Sequence, residues 1–125
     1  MMIGGKKRLI LAAVSDFLFS TRIHEVARQI GMEVYFLRKA NEVFKEFTVK
    51  PELIIVDLNN PAVDTLELIT KTKRDPVLSS IPILGYLSHV QVQLKQKAEQ
   101  AGCNLVVPLA VFAERLKRFL EGGLV

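Results

Sequence analysis

Asp57 ends an apolar run, Leu53-Ile54-Ile55-Val56, and is followed by Leu58-Asn59-Asn60-Pro61. A carboxylate at the carboxyl end of a buried strand lies where open α/β sheets bind ligands and react. Phosphoacceptor aspartates hold such a position, and carboxylates joined by a backbone carbonyl are also the ligands magnesium takes. The other strand-end carboxylate is Asp16, which follows Leu9–Val14 and Ser15. Each acid has a plain structural reading beside the chemical one. Asp57 can cap amides of the loop after its strand. Asp16 can be the N-cap of the following helix, where unpaired amides stabilise a carboxylate.

Other chemistries find little support. Cys103 is the sole cysteine, which excludes an internal disulfide and a cysteine metal cluster and suits a small buried hydrophobe. His24 and His89 have no cysteine or histidine in register for a transition metal. No Ser-His-Asp or Cys-His arrangement follows an elbow motif. Gly4-Gly5-Lys6-Lys7 precedes the first apolar run and lacks phosphate-loop spacing. The stretch Ser15 to Thr21 has hydroxyls but no glycine to wrap a flavin phosphate. Phe17 and Phe19 read as core and rim packing. The expectation is that the chain is not an enzyme.

These residues are positioned by five apolar runs with strand length and β-branched content: Leu9–Val14, Glu33–Leu37, Leu53–Val56, Ile83–Leu87 and Leu105–Val107. Helical spacing lies between them. Phe19, Ile23, Val26, Ala27 and Ile30 form the first stripe, ended by Gly31. Asn41–Phe47 predicts a short second helix. Leu66, Leu68, Ile69 and Thr72 mark a third, opened by Asp64 and stopped before Pro76. Leu94, Ala98 and Ala101 line a fourth, closed by Gly102, and Phe112, Leu116, Phe119 and Leu120 a fifth before Gly122-Gly123. Strands alternating with helices predict a parallel sheet with right-handed crossovers.

The 125 residues suit one domain, 1–125, and no linker or repeat divides them. Half of the residues are hydrophobic, and mean hydropathy is +0.26. A parallel sheet covered on both faces absorbs that excess. No run approaches the ~20 apolar residues that span a bilayer. Lys6-Lys7-Arg8 before Leu9–Val14 superficially resembles a signal peptide, but Ser15-Asp16 ends the run early. The expected location is the cytoplasm, without membrane insertion. The net charge of +4 permits contact with nucleic acid or an acidic partner. The basic residues are scattered, so nucleic-acid binding is the weakest function reading.

The stretch Asp57-Leu58-Asn59-Asn60-Pro61-Ala62-Val63-Asp64-Thr65-Leu66-Glu67-Leu68 resembles the phosphoacceptor segment of response-regulator receiver domains of the CheY-like kind. Ser80-Ile81-Pro82-Ile83-Leu84 is similar to that family's approach to its fourth strand, and Ala101-Gly102-Cys103-Asn104 to its approach to the fifth. The resemblance covers nearly the whole chain. It implies a flavodoxin-like (βα)5 three-layer sandwich with strand order 2-1-3-4-5 and Asp57 near the switch point.

The resemblance also implies a site. Asp57 matches the phosphoacceptor, and Asp16, Asp57 and the carbonyl of Asn59 match the magnesium ligands, if magnesium is bound. Ser15 stands where the family has a second acid. Leu87 stands where the family has a Ser or Thr hydroxyl, with Ser88 adjacent. Leu109 takes the place of the phosphate-pairing lysine, and Val106 that of the aromatic switch residue. No neighbouring residue is expected to supply a cation, and preorganised positive charge is usually the largest catalytic contribution.

A degenerate receiver is the reading that follows: a pseudo-receiver acting in two-component or phosphorelay signalling as a phosphorylation-independent protein-interaction module. It would need no cofactor. Its partner would be a signalling protein or a second copy of itself, met through the fourth helix, fifth strand and fifth helix. Arg115, Lys117 and Arg118 on that last helix could meet an acidic partner, or form a solvated face. The alternative is a working phosphoacceptor, with Asp57 phosphorylated by a histidine kinase in the presence of magnesium.

Overall fold

The computed structural model describes residues 7–122 and 124. Gly4, Gly5, Lys6 and Gly123, named in the sequence readings above, lie outside the described residues. Five parallel strands form one sheet: β1 (Arg8–Ala13), β2 (Met32–Phe36), β3 (Leu53–Asp57), β4 (Ile83–Leu87) and β5 (Leu105–Pro108), in the order β2-β1-β3-β4-β5. The helices are α1 (Phe17–Gln29), α2 (Thr65–Arg74), α3 (Val92–Ala101), α4 (Leu109–Glu114) and α5 (Leu116–Leu120), with a 3-10 helix at Ala40–Phe44. This is the flavodoxin-like three-layer arrangement expected from the sequence.

Strand side chains alternate between two cores. On one face Leu11, Ile54, Val56, Ile83 and Leu87 pack with Leu68 and Ile69 of α2 and Ala98 of α3. On the other, Ile10, Ile55, Leu84 and Tyr86 pack with Ile23 and Ala27 of α1, Phe112 of α4 and Phe119 of α5. The helices use the predicted stripes. Asp64 caps α2 by accepting from the Glu67 amide at 3.1 Å. Gly102, at φ +118°, closes α3, and the Cys103 amide reaches back to the Ala98 carbonyl at 2.9 Å.

Two elements differ from expectation. The second helix is a single 3-10 turn, Ala40–Phe44, not a helix over Asn41–Phe47. Its residues present two buried apolar anchors, Ala40 and Val43, and Phe47 leaves the turn to pack on Tyr35 at 5.4 Å. The fifth helix begins earlier, at Leu109, and breaks at Arg115 (φ −108°, ψ 22°) into α4 and α5. Hydrogen bonds from Arg115 N to Val111 O and from Phe119 N to Arg115 O carry the chain across the break. Among the described residues, no helix is long and apolar enough to cross a membrane.

Candidate functional site

The parallel register β1–β3–β4 brings the carboxyl ends of these strands together. Ala13 pairs with Val56, and Asp57 with Tyr86. Residues alternate in facing, so Asp57 and Tyr86 share the α1 side of the sheet, as the burial of Ile55 and Leu84 there requires. Asp57, Tyr86, Asp16, Phe19, Arg22, Leu18, Ser88 and Leu109 line one cleft of about 380 Å³.

Asp57 is half-buried, and one carboxylate oxygen accepts from the Asn59 amide at 2.9 Å. Desolvation raises its pKa above the usual carboxylate value; the Asn59 amide lowers it in part, and the like charge of Asp16 adds to the rise. Asp16 caps α1, accepting from the Phe19 amide at 2.8 Å. Both structural readings of the acids are therefore realised, and the chemical ones remain compatible with them, because each cap uses one carboxylate oxygen.

The loop after β3 is held from three sides. Asn59 Nδ2 donates to Gln91 at 2.8 Å, and its Oδ1 accepts from the Ser88 amide at 3.0 Å. Asn60 Nδ2 donates to the Ala13 carbonyl at 3.0 Å, and its Oδ1 accepts from the Ala62 amide at 2.8 Å. These bonds tie the β3–α2 loop to the ends of β1 and β4.

The site residues separate into two groups. Asp16, Asp57, Ser88 and Leu109 meet in the cleft. Ser15 does not; it is exposed and borders a different hollow with Arg38 and Asn60. Leu87 faces the opposite core and borders a groove of about 320 Å³ with Val106 and Pro108. Among the described residues, no group of three or more His, Cys, Asp or Glu side chains is placed to hold a metal. The two acids and the Asn59 carbonyl fit magnesium in donor type, with one acid fewer than a three-carboxylate set.

One expectation needs correction. Arg22 lines the cleft, so a cation does stand near the acids, supplied by α1 and not from beside β5. It occupies the helix face of Phe19, one turn on, and its guanidinium donates to the Ala113 carbonyl at 3.3 Å. It forms no ion pair with Asp16 or Asp57; the ion pairs among the described residues are Arg8–Glu52, Arg28–Glu25 and Lys71–Glu67. Phe19 packs as expected, whereas Phe17 is 79% exposed and packs in neither core.

Tyr86 is the residue that sequence reasoning missed. It is 2% exposed, stacked on Phe112 at 4.9 Å and met edge-on by Phe19 at 5.5 Å. Burial raises the pKa of its phenol strongly, and Asp57 and Asp16 raise it further. The phenol is therefore neutral. The available signal was the period-2 register that puts residue 86 on the same face as residue 57. Cys103 is buried behind β4, where burial pushes its thiol up to about 11, an inert state.

No protein-family model matches the sequence, and no curated protein matches it. Solved structures do resemble it. A response regulator from Hahella chejuensis superposes with a TM-score of 0.80 at 17% identity, over 94% of this chain and 96% of that one. The phosphorylated cyanobacterial phytochrome response regulator RcpA gives 0.72 at 23% identity, over 94% and 91%. The receiver domain of the sensor histidine kinase PA1611 from Pseudomonas aeruginosa PAO1, with magnesium in its active-site cleft, gives 0.76 at 18% identity, over 93% and 96%. The chain therefore has the fold of response-regulator receiver domains.

Proposed function

We propose that this chain is a receiver-like module of two-component signalling whose interactions do not depend on phosphorylation of Asp57. The observation that carries the reading is Leu109 in the Asp57 cleft. An acyl phosphate there would develop negative charge beside an aliphatic side chain, and unpaired charge in a partly desolvated site is costly. Arg22 supports the same reading, because its guanidinium bonds the Ala113 carbonyl and no carboxylate. Leu87 is aliphatic and packs in the opposite core, so it offers the cleft no hydroxyl.

The partner would be a signalling protein or a second copy of the chain. The surface of α3, β5 and the α4–α5 pair is the one we assign to that contact; Arg115, Lys117 and Arg118 of the α4–α5 pair are exposed. A cytoplasmic location suits such a role.

A second reading, a working phosphoacceptor fed by a histidine kinase, is favoured by one observation: Asp16 and Asp57 share a cleft. Asp16, Asp57 and the Asn59 carbonyl would hold magnesium, which when bound would neutralise the oxygens of a phosphoryl donor. Adding beryllofluoride and magnesium and following fluorine NMR separates the two readings. The interaction-module reading expects no bound-fluoride signal. A signal that disappears in Asp57→Asn would replace it with the phosphoacceptor.

A further inference from the structure

Asp16 and Asp57 form no ion pair with any described residue, although the chain carries a net charge of +4. Tyr86 lines the same cleft. That side chain is 2% exposed, borders the cleft, and makes no hydrogen bond among the described residues. No fully buried side-chain polar atom among them lacks a partner, so the unpaired phenol oxygen keeps some contact with solvent. Two carboxylates and a phenol oxygen make an acceptor-rich base to this cleft.

Its walls are different in kind. Phe19, Leu18 and Leu109 are apolar, Leu18 being 79% exposed, and its chain neighbour Phe17 is 79% exposed as well. Across the same sheet edge, Val90 is 85% exposed. The shape calls for a donor-rich cationic head on an apolar stem. An ammonium brings three donors and a guanidinium five, and both stems pack along apolar surface. Arg22 also lines the cleft and opposes a second cation, but it is exposed and its guanidinium bonds the Ala113 carbonyl, so solvent screens it.

We infer that this cleft receives a single lysine or arginine side chain of a partner protein, which pairs with Asp57 and Asp16 and hydrogen-bonds the Tyr86 hydroxyl. The inference rests on the interaction-module reading and specifies its contact. One basic residue in an apolar setting fits better than a polybasic segment, because the basic surface of the chain would repel the latter. Magnesium would find only two carboxylates and the Asn59 carbonyl here, one acid fewer than a three-carboxylate set, whereas the apolar walls match a hydrocarbon stem.

The test uses the full chain and amide NMR, with N-acetyl-arginine methylamide, N-acetyl-lysine methylamide and the neutral citrulline counterpart as probes. The expected result is saturable shifts at Asp57, Tyr86 and Leu109 with one of the basic probes and none with citrulline. Asp57→Asn and Asp16→Asn should each weaken binding at least fivefold, the spectra themselves reporting that the fold is kept. Absence of saturable shifts, equal shifts with citrulline, or shifts centred on Glu25 or Glu99 overturn the inference. Tighter binding of free arginine than of the blocked form assigns a small-molecule site instead, and full displacement by equimolar magnesium assigns a metal site. A bound-fluoride signal with beryllofluoride sinks the underlying reading, whereas failure of the amide probes alone sinks only this contact.

Discussion

Asp57 and Tyr86 lie opposite each other on β3 and β4, on the same face of the sheet, and open onto one cleft. The pairing places a neutral phenol beside a carboxylate whose protonated form is favoured by burial. Leu87, one residue on, belongs to the opposite core. Tyr86 therefore joins Ser88 in bringing a hydroxyl-bearing side chain to this cleft, its ring packed on Phe19 and Phe112 on the α1 side of the sheet.

The first consequence concerns pH. The folded-state pKa of Asp57 is raised, so the native state binds this proton more tightly than the unfolded chain does. Stability contributed by the protonated form is present below the unfolded value near 3.8 and is lost as pH rises through the folded value. Asp57→Asn should therefore be more stable than the parent at pH 7, and the difference should shrink toward pH 3. Urea unfolding at both pH values measures this. A variant that is less stable at pH 7 would contradict the assignment.

The aromatic cluster separates two roles of Tyr86. Tyr86→Phe removes a hydroxyl without a partner and should change stability by less than about 0.5 kcal/mol. Phe112→Ala removes the fully buried ring against which Tyr86 stacks and should cost about 3–5 kcal/mol. Thermal or denaturant unfolding of the two variants reads the contrast. A loss of 2 kcal/mol or more in Tyr86→Phe (roughly the penalty of stranding a buried polar partner) would show a hydrogen bond that the fold depends on.

Asp16 works as a cap whatever else it does. Asp16→Ala should cost about 1 kcal/mol, whereas Asp16→Asn keeps an acceptor for the Phe19 amide and should cost much less. Equal losses would mean that the charge, not the cap, matters to the fold.

The sheet was legible because apolar runs and helical stripes alternate without conflict. Asp64, Gly31 and Gly102 also carry their local signals at the helix ends. Register was legible only in part. Knowing that Ile83–Leu87 is a strand does not say that Tyr86 aligns with Asp57 until the pairing of β3 and β4 is set. Arg22 was missed because its approach to the cleft depends on the packing of α1 against α4, a long-range property. The break at Arg115 has no proline or glycine to mark it.

Leu109→Lys tests what the cleft lacks. A lysine there stabilises ionised Asp57, so the carboxylate pKa should fall toward or below its ordinary value. Carbon-detected titration of the Asp57 carboxyl measures this directly. An unchanged titration would place residue 109 too far from Asp57 to have served as its cation.

The most direct test of the account is intact-mass spectrometry of the chain after incubation with acetyl phosphate and magnesium. The account predicts that the chain stays unmodified. Addition of one phosphoryl group, abolished by Asp57→Asn, would contradict it and make Asp57 a working acceptor despite Leu109.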